Sequence, residues 1–163
     1  MAPKVIDCSR LSLASCPDKE DLGLKGGPET LRLSDMGGSG QTVGCYSPCA
    51  KLIDNLHTLH TFSLTPLTHP FRLHRCAKLT YSQWDQGHAF TPESKEAQDF
   101  CCPTPPITPA QCSAGPVIQT KFVKAVHELC PSVYAYAYDD GMGLAQCPAG
   151  TTYDVTFYCP KDE

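Results

Sequence analysis

Residues 130–160 read CPSVYAYAYDDGMGLAQCPAGTTYDVTFYCP, and this stretch decides the fold class. Val133, Ala135 and Ala137 alternate with Tyr134, Tyr136 and Tyr138, a period-two pattern that predicts a strand over 133–138. Asp139-Asp140-Gly141 interrupts it with residues that favour tight turns. After the turn word Cys147-Pro148-Ala149-Gly150, a β-branched and aromatic run predicts a second strand over 151–158. The three tyrosines read as one face of a sheet packed on something; the sharper reading is a sugar-binding platform. Three cysteines in the stretch, Cys130, Cys147 and Cys159, mark it as a β ribbon held by disulfides.

Working outward, the 163 residues suit one domain. Fifteen prolines, twelve glycines and 9% aromatic residues make it loop-rich with modest core material, and eleven cysteines are a density that belongs to disulfides in an oxidising compartment. Zinc modules usually present ligands as short-spaced pairs, and no C-x-x-C occurs, so no metal and no cofactor are expected. A net charge of −4 without a basic run argues against nucleic acid. No apolar stretch has membrane-spanning length, so no membrane partner is expected. Residues 1–24 lack the apolar core of a signal peptide, with Asp7, Arg10, Asp18, Lys19 and Glu20 interrupting them.

Thr30-Leu31-Arg32-Leu33 alternates enough for one short strand. Ser47-Pro48 and Thr91-Pro92-Glu93 are both helix-start signals, the second opening a short helix toward Phe100. Residues 120–129 are the best helix: Phe122, Val123, Val126 and Leu129 share a face, and Pro131 closes it. His127 lies off that stripe and reads as a surface or packing histidine without a partner. Glu93, Glu96 and Asp99 read as helix-surface charges.

Cys49-Ala50-Lys51-Leu52 recurs as Cys76-Ala77-Lys78-Leu79. Between the copies lie four of the six histidines, His57, His60, His69 and His74, at spacings that fit no common zinc pattern. Residues 53–79 are therefore expected to be an unstructured insertion, a translated intron or gene-model error. Removing them takes the odd cysteine count to an even one. A message carrying the segment as ordinary exon would refute this.

Several words now coincide: Cys45-Tyr46-Ser47-Pro48-Cys49, Asp99-Phe100-Cys101-Cys102, TKFVKAVHELCP around Phe122, VYAYAYDDG, CPAG at 147–150 and YDVTFYCP at 153–160. In order and spacing they resemble the C-terminal half of the thaumatin-like proteins (osmotin, or pathogenesis-related type 5), in wording closest to fungal members. Asp7-Cys8 and Ser15-Cys16-Pro17 fit the start of that family's cysteine-rich region. The resemblance implies one partial thaumatin-like domain over 1–163: β-rich and disulfide-stabilised, a cysteine-rich region of loops and short helices plus the terminal strands of an incomplete β-sandwich. It implies the pairs Cys8–Cys130, Cys16–Cys45, Cys49–Cys101 and Cys102–Cys112. It leaves Cys147 and Cys159 without their usual partners and Cys76 as an extra, so these three are expected to be unpaired. With its strand at 151–158 short of a sheet to join, the chain alone is expected to be poorly stable.

The resemblance further implies an extracellular defence (antifungal) or wall-remodelling protein whose partner is β-1,3-glucan or another wall polysaccharide. Some family members cleave β-1,3-glucan, and that needs two carboxyl groups at a set separation. Asp140 best matches the one late cleft acid that the chain carries, with Asp139 beside it, and the pair reads equally as turn chemistry. One acid does not make a glycosidase, so binding without hydrolysis is expected. The remaining readings are a truncated glucan hydrolase lacking most of its acidic cleft and an inert truncated gene product.

Overall fold

A computed structural model describes residues 5–35, 39–53, 87–152 and 154–155. In chain order these form a 3-10 turn at Leu13–Ser15, β1 (Arg32–Ser34), β2 (Thr42–Cys45), α1 (Pro48–Ile53), α2 (Gln98–Cys101), α3 (Pro109–Ser113), a 3-10 turn at Pro116–Gln119, α4 (Lys121–Leu129) and α5 (Asp140–Gly143). The expected insertion at 53–79 lies outside the described residues except for Ile53, the last residue of α1.

Helix starts follow local chemistry. Ser47 Oγ accepts the Ala50 N–H at 3.1 Å, with Pro48 opening α1. Thr120 caps α4 by accepting the Val123 N–H at 3.2 Å. Thr108 and Gln111 form a reciprocal capping box on α3. Thr91-Pro92-Glu93 opens separate turns instead of one helix. Ser94 N–H bonds the Thr91 C=O, the Ser94 C=O takes both Ala97 and Gln98 N–H, and the helix begins only at Gln98.

Strand is scarcer than the sequence suggests. Among the described residues β1 and β2 form one antiparallel pair, with an isolated bridge at Glu20 and Glu29. The predicted strand over 133–138 is not one. Its Ala135 N–H is taken by the Asp139 side chain at 2.9 Å, and positive φ at Ser132 (70°) and Tyr138 (62°) turns the backbone out of the extended region. Period two alone cannot supply an edge to pair with. Of the predicted strand over 151–158, Thr151, Thr152, Asp154 and Val155 are exposed and not in a strand; the rest lies outside the described residues.

Two small cores hold the fold. One gathers Leu22, Leu31, Leu33, Tyr46 and Leu52 around β1, β2 and α1. The other gathers Cys102, Cys112, Val117 and Val123 between α3 and α4, with Tyr136 and Tyr138 packed on it. Phe100 and Phe122 touch both. Disulfides join Cys8 to Cys130, Cys16 to Cys45, Cys49 to Cys101 and Cys102 to Cys112. They supplement cores that by themselves are small for this length. Glu20, 2% exposed, fastens the two regions together: its carboxylate accepts Lys121 N–H at 3.0 Å and Phe122 N–H at 2.9 Å at the start of α4. Among the described residues no helix is long and apolar enough to cross a membrane.

Candidate functional site

The turn after α4 carries the two acids of the sequence reading, and it sends them in opposite directions. Asp139 is inside, 3% exposed. One of its oxygens, Oδ2, lies 2.7 Å from His127 Nε2 and accepts the Ala135 N–H at 2.9 Å. Burying a carboxylate is tolerable only when such partners replace its water. Asp140 is outside and begins α5. The Tyr134 hydroxyl donates to Asp140 Oδ1 at 2.5 Å, and Tyr134 is 47% exposed. That hydrogen bond, the burial it brings and the nearby carboxylate charges hold the Tyr134 phenol above its ordinary pKa.

The other two tyrosines do not share a platform with Tyr134. Tyr136 and Tyr138 pack on the second core. Burial, then the charge on Asp139, raises the Tyr136 pKa. Tyr138 keeps a left-handed backbone at φ 62°, a strained conformation for a bulky residue. It is fixed at both ends, its hydroxyl 2.6 Å from Thr104 Oγ1 and its C=O accepting from Ser113 Oγ at 3.2 Å. The resulting surface is one exposed aromatic ring beside one exposed carboxylate.

A concavity lies elsewhere. Asp21, Leu22, Gly23, Lys95, Glu96, Asp99, Phe100 and Pro116 line a shallow cleft of about 300 Å³. Asp21 Oδ1 accepts the Gly23 N–H at 2.9 Å, shaping its rim. Two acids read from sequence as helix-surface charges, Glu96 and Asp99, thus face a groove. Among the described residues no three His, Cys, Asp or Glu side chains form a group suited to a metal. Among the described cysteines Cys147 is a free, exposed thiol; Cys76 and Cys159 lie outside the described residues.

The Thaumatin family matches residues 85–160, a span holding the whole turn with its tyrosines and aspartates. Residues 85–160 of this chain are thaumatin-like. The chain is 39% identical over 61 residues to "Thaumatin-like protein 2" of Prunus persica, covering 37% of this chain and 23% of that protein. It is 39% identical over 61 residues to "Glucan endo-1,3-beta-glucosidase" of Prunus avium, covering 37% and 22%. It is 43% identical over 49 residues to "Thaumatin-like protein" of Actinidia deliciosa, covering 30% and 21%. The chain therefore spans under a quarter of the length of these relatives. No solved structure matches it.

Sequence reasoning picked out Asp139 and Asp140 but missed their division of labour, and it left His127 without a partner. The signal available was the short Cys130-Pro131 break after α4, which forces the chain to turn back within reach of the last helical turn. The pairing of Tyr134 with Asp140 had no comparable signal, because the strand pattern placed Tyr134 in a row with Tyr136 and Tyr138.

Proposed function

We propose that this thaumatin-like chain acts outside the cell as a defence or wall protein that binds β-1,3-glucan without cleaving it, through the surface formed by Tyr134 and Asp140. The observation that carries this reading is the exposed Tyr134 ring with its hydroxyl locked on the Asp140 carboxylate. A tyrosine ring offers a rigid apolar face to the C–H groups of a sugar, and its hydroxyl a polar handle. A carboxylate beside it accepts hydrogen bonds from sugar hydroxyls, and these are strong because the acceptor is charged. The relative from Prunus avium, named for endo-1,3-beta-glucosidase activity, supports glucan as the ligand. The disulfide framework is consistent with an extracellular setting.

Hydrolysis is not part of this reading. It requires an acid and a second carboxyl group as base or nucleophile across the scissile bond. Asp139, the nearest carboxylate in sequence, is buried and engaged by His127 and Ala135. Asp140 is left to act as a hydrogen-bond acceptor.

Co-sedimentation of the oxidised chain with insoluble β-1,3-glucan, alongside cellulose as control, tests the proposal. Retention on β-1,3-glucan is expected, falling about tenfold in Asp140→Asn and further in Tyr134→Ala, as loss of a charged acceptor implies. No reducing sugar should appear in the supernatant. Equal retention of wild type and both variants would refute the assigned surface, and sugar release that vanishes in Asp140→Asn would establish the hydrolase reading instead.

A further inference from the structure

We infer that His127 is a positioning residue for the glucan surface: from α4 it holds the buried Asp139, and through Asp139 it fixes the turn that brings Tyr134 and Asp140 together. This rests on the glucan-binding reading above.

The connectivity makes the case. The Ala135 N–H to Asp139 Oδ2 bond closes residues 135–139 into a ring. Tyr134 leaves that ring on one side and Asp140 on the other, as the immediate neighbours of the two residues that close it. Their 2.5 Å hydrogen bond is therefore set by whether the ring is shut. The ring contains Tyr138 at φ 62°, a conformation that persists only where its surroundings over-determine it. Asp139 also continues into α5, its C=O accepting Met142 N–H at 3.1 Å and Gly143 N–H at 2.9 Å. One buried residue thus organises both halves of the turn.

His127 connects that ring to a fixed body. It stands in the last turn of α4, the helix whose first two N–H groups are held by Glu20 and whose end carries the Cys8–Cys130 bond. Its imidazole is partly buried, with the side chain 25% exposed, and meets the same oxygen of Asp139 that closes the ring, at 2.7 Å. The Tyr136 hydroxyl also faces Asp139. Without the imidazole, the buried carboxylate is one partner short, and turning outward to water relieves it. That movement opens the 135–139 ring and separates Tyr134 from Asp140.

The Tyr134 phenol reports the state of the ring without any glucan. Tyrosine-ring NMR titration of the full oxidised chain, with Tyr134→Phe for assignment and Asp140→Ala as the unpaired reference, reads it directly. In His127→Ala, and in His127→Phe, which keeps a ring but no donor, Tyr134 is expected to titrate at the lower value of the Asp140→Ala reference. Glucan retention should fall about tenfold. His127→Gln, which restores an N–H donor, should recover both. A Tyr134 titration unchanged in the Ala and Phe variants overturns the inference. Should those variants not fold, hydrogen exchange at the Ala135 amide of the wild-type chain decides: protection comparable to the α4 amides upholds the closed ring, and free exchange overturns it. If Tyr134 follows His127 while the wild type ignores glucan, the positioning role stands and the ligand assignment falls.

Discussion

Glu20 and Asp139 are both carboxylates taken out of water; Glu20 is matched by donors from a distant part of the chain, Asp139 by donors close in sequence, Ala135 and His127. Glu20 faces the first N–H groups of α4, where the helix dipole adds to two charge-assisted hydrogen bonds. Glu20→Gln keeps the volume but removes the charge and turns an amide N–H toward helix donors. It should cost about 2 kcal/mol, read as a lowered urea midpoint with an unchanged slope. Lys51 carries the opposite charge. It is buried, with its Nζ 5.5 Å from the centre of the Tyr46 ring, and burial lowers its pKa despite the opposing influence of Glu29. With the folded pKa below the unfolded one, the unfolded chain binds more protons between the two values, so stability rises with pH across that window, up to about pH 10. Lys51→Met should flatten this alkaline rise, as followed by denaturation midpoints at increasing pH.

At the level of elements, α5 and the turn before it act as one piece because of Gly143. A β-carbon there would overlap the Tyr134 ring and its backbone nitrogen. Replacing a helical glycine by alanine ordinarily gains up to about 1 kcal/mol. Here the obstructing atoms include backbone, which no rotamer can move aside, so the sign should reverse. Gly143→Ala should lose about 1 kcal/mol or more, and it should return the Tyr134 phenol to the titration of an unpaired tyrosine. Elements differ in how far they could be read beforehand. The cap of α1 was legible in Ser47-Pro48 because capping is chemistry within four residues. The alternation over 133–138 misled because it records only which residues are apolar. The hydrogen bonds that shape the segment come from Asp139, Thr104 and Ser113. Asp140 was legible as an acid of the turn. Its partner Tyr134 and the anchor His127 were not, since both depend on a fold-back that periodicity does not encode.

For the molecule as a whole, stability is shared between two modest cores and the cross-links around them. Cys8–Cys130 has a sequence separation of 122, and closing so long a loop stabilises by roughly 5 kcal/mol through the unfolded chain. The double variant Cys8→Ala, Cys130→Ala should therefore melt far below the wild type, or fail to fold at physiological temperature. Differential scanning calorimetry of the oxidised proteins measures this. The same measurement checks the expectation of low overall stability, which the exposed Val5, Leu144 and Val155 side chains support. A sharp, high-temperature transition in the wild type would argue against it.

The Cys49–Cys101 bond carries one more implication. It clasps α1 to α2 across a sequence separation of 52, and the first of the two repeated words that bracket residues 53–75 begins at Cys49 itself. Loop closure grows with the logarithm of length, so doubling the chain inside such a clasp costs only about 0.6 kcal/mol. A backbone pinned in this way can gain or shed residues between the two helices while its outer frame stays in register. A single protease cut inside the loop would leave the pieces covalently joined, running as one band until a reductant is added.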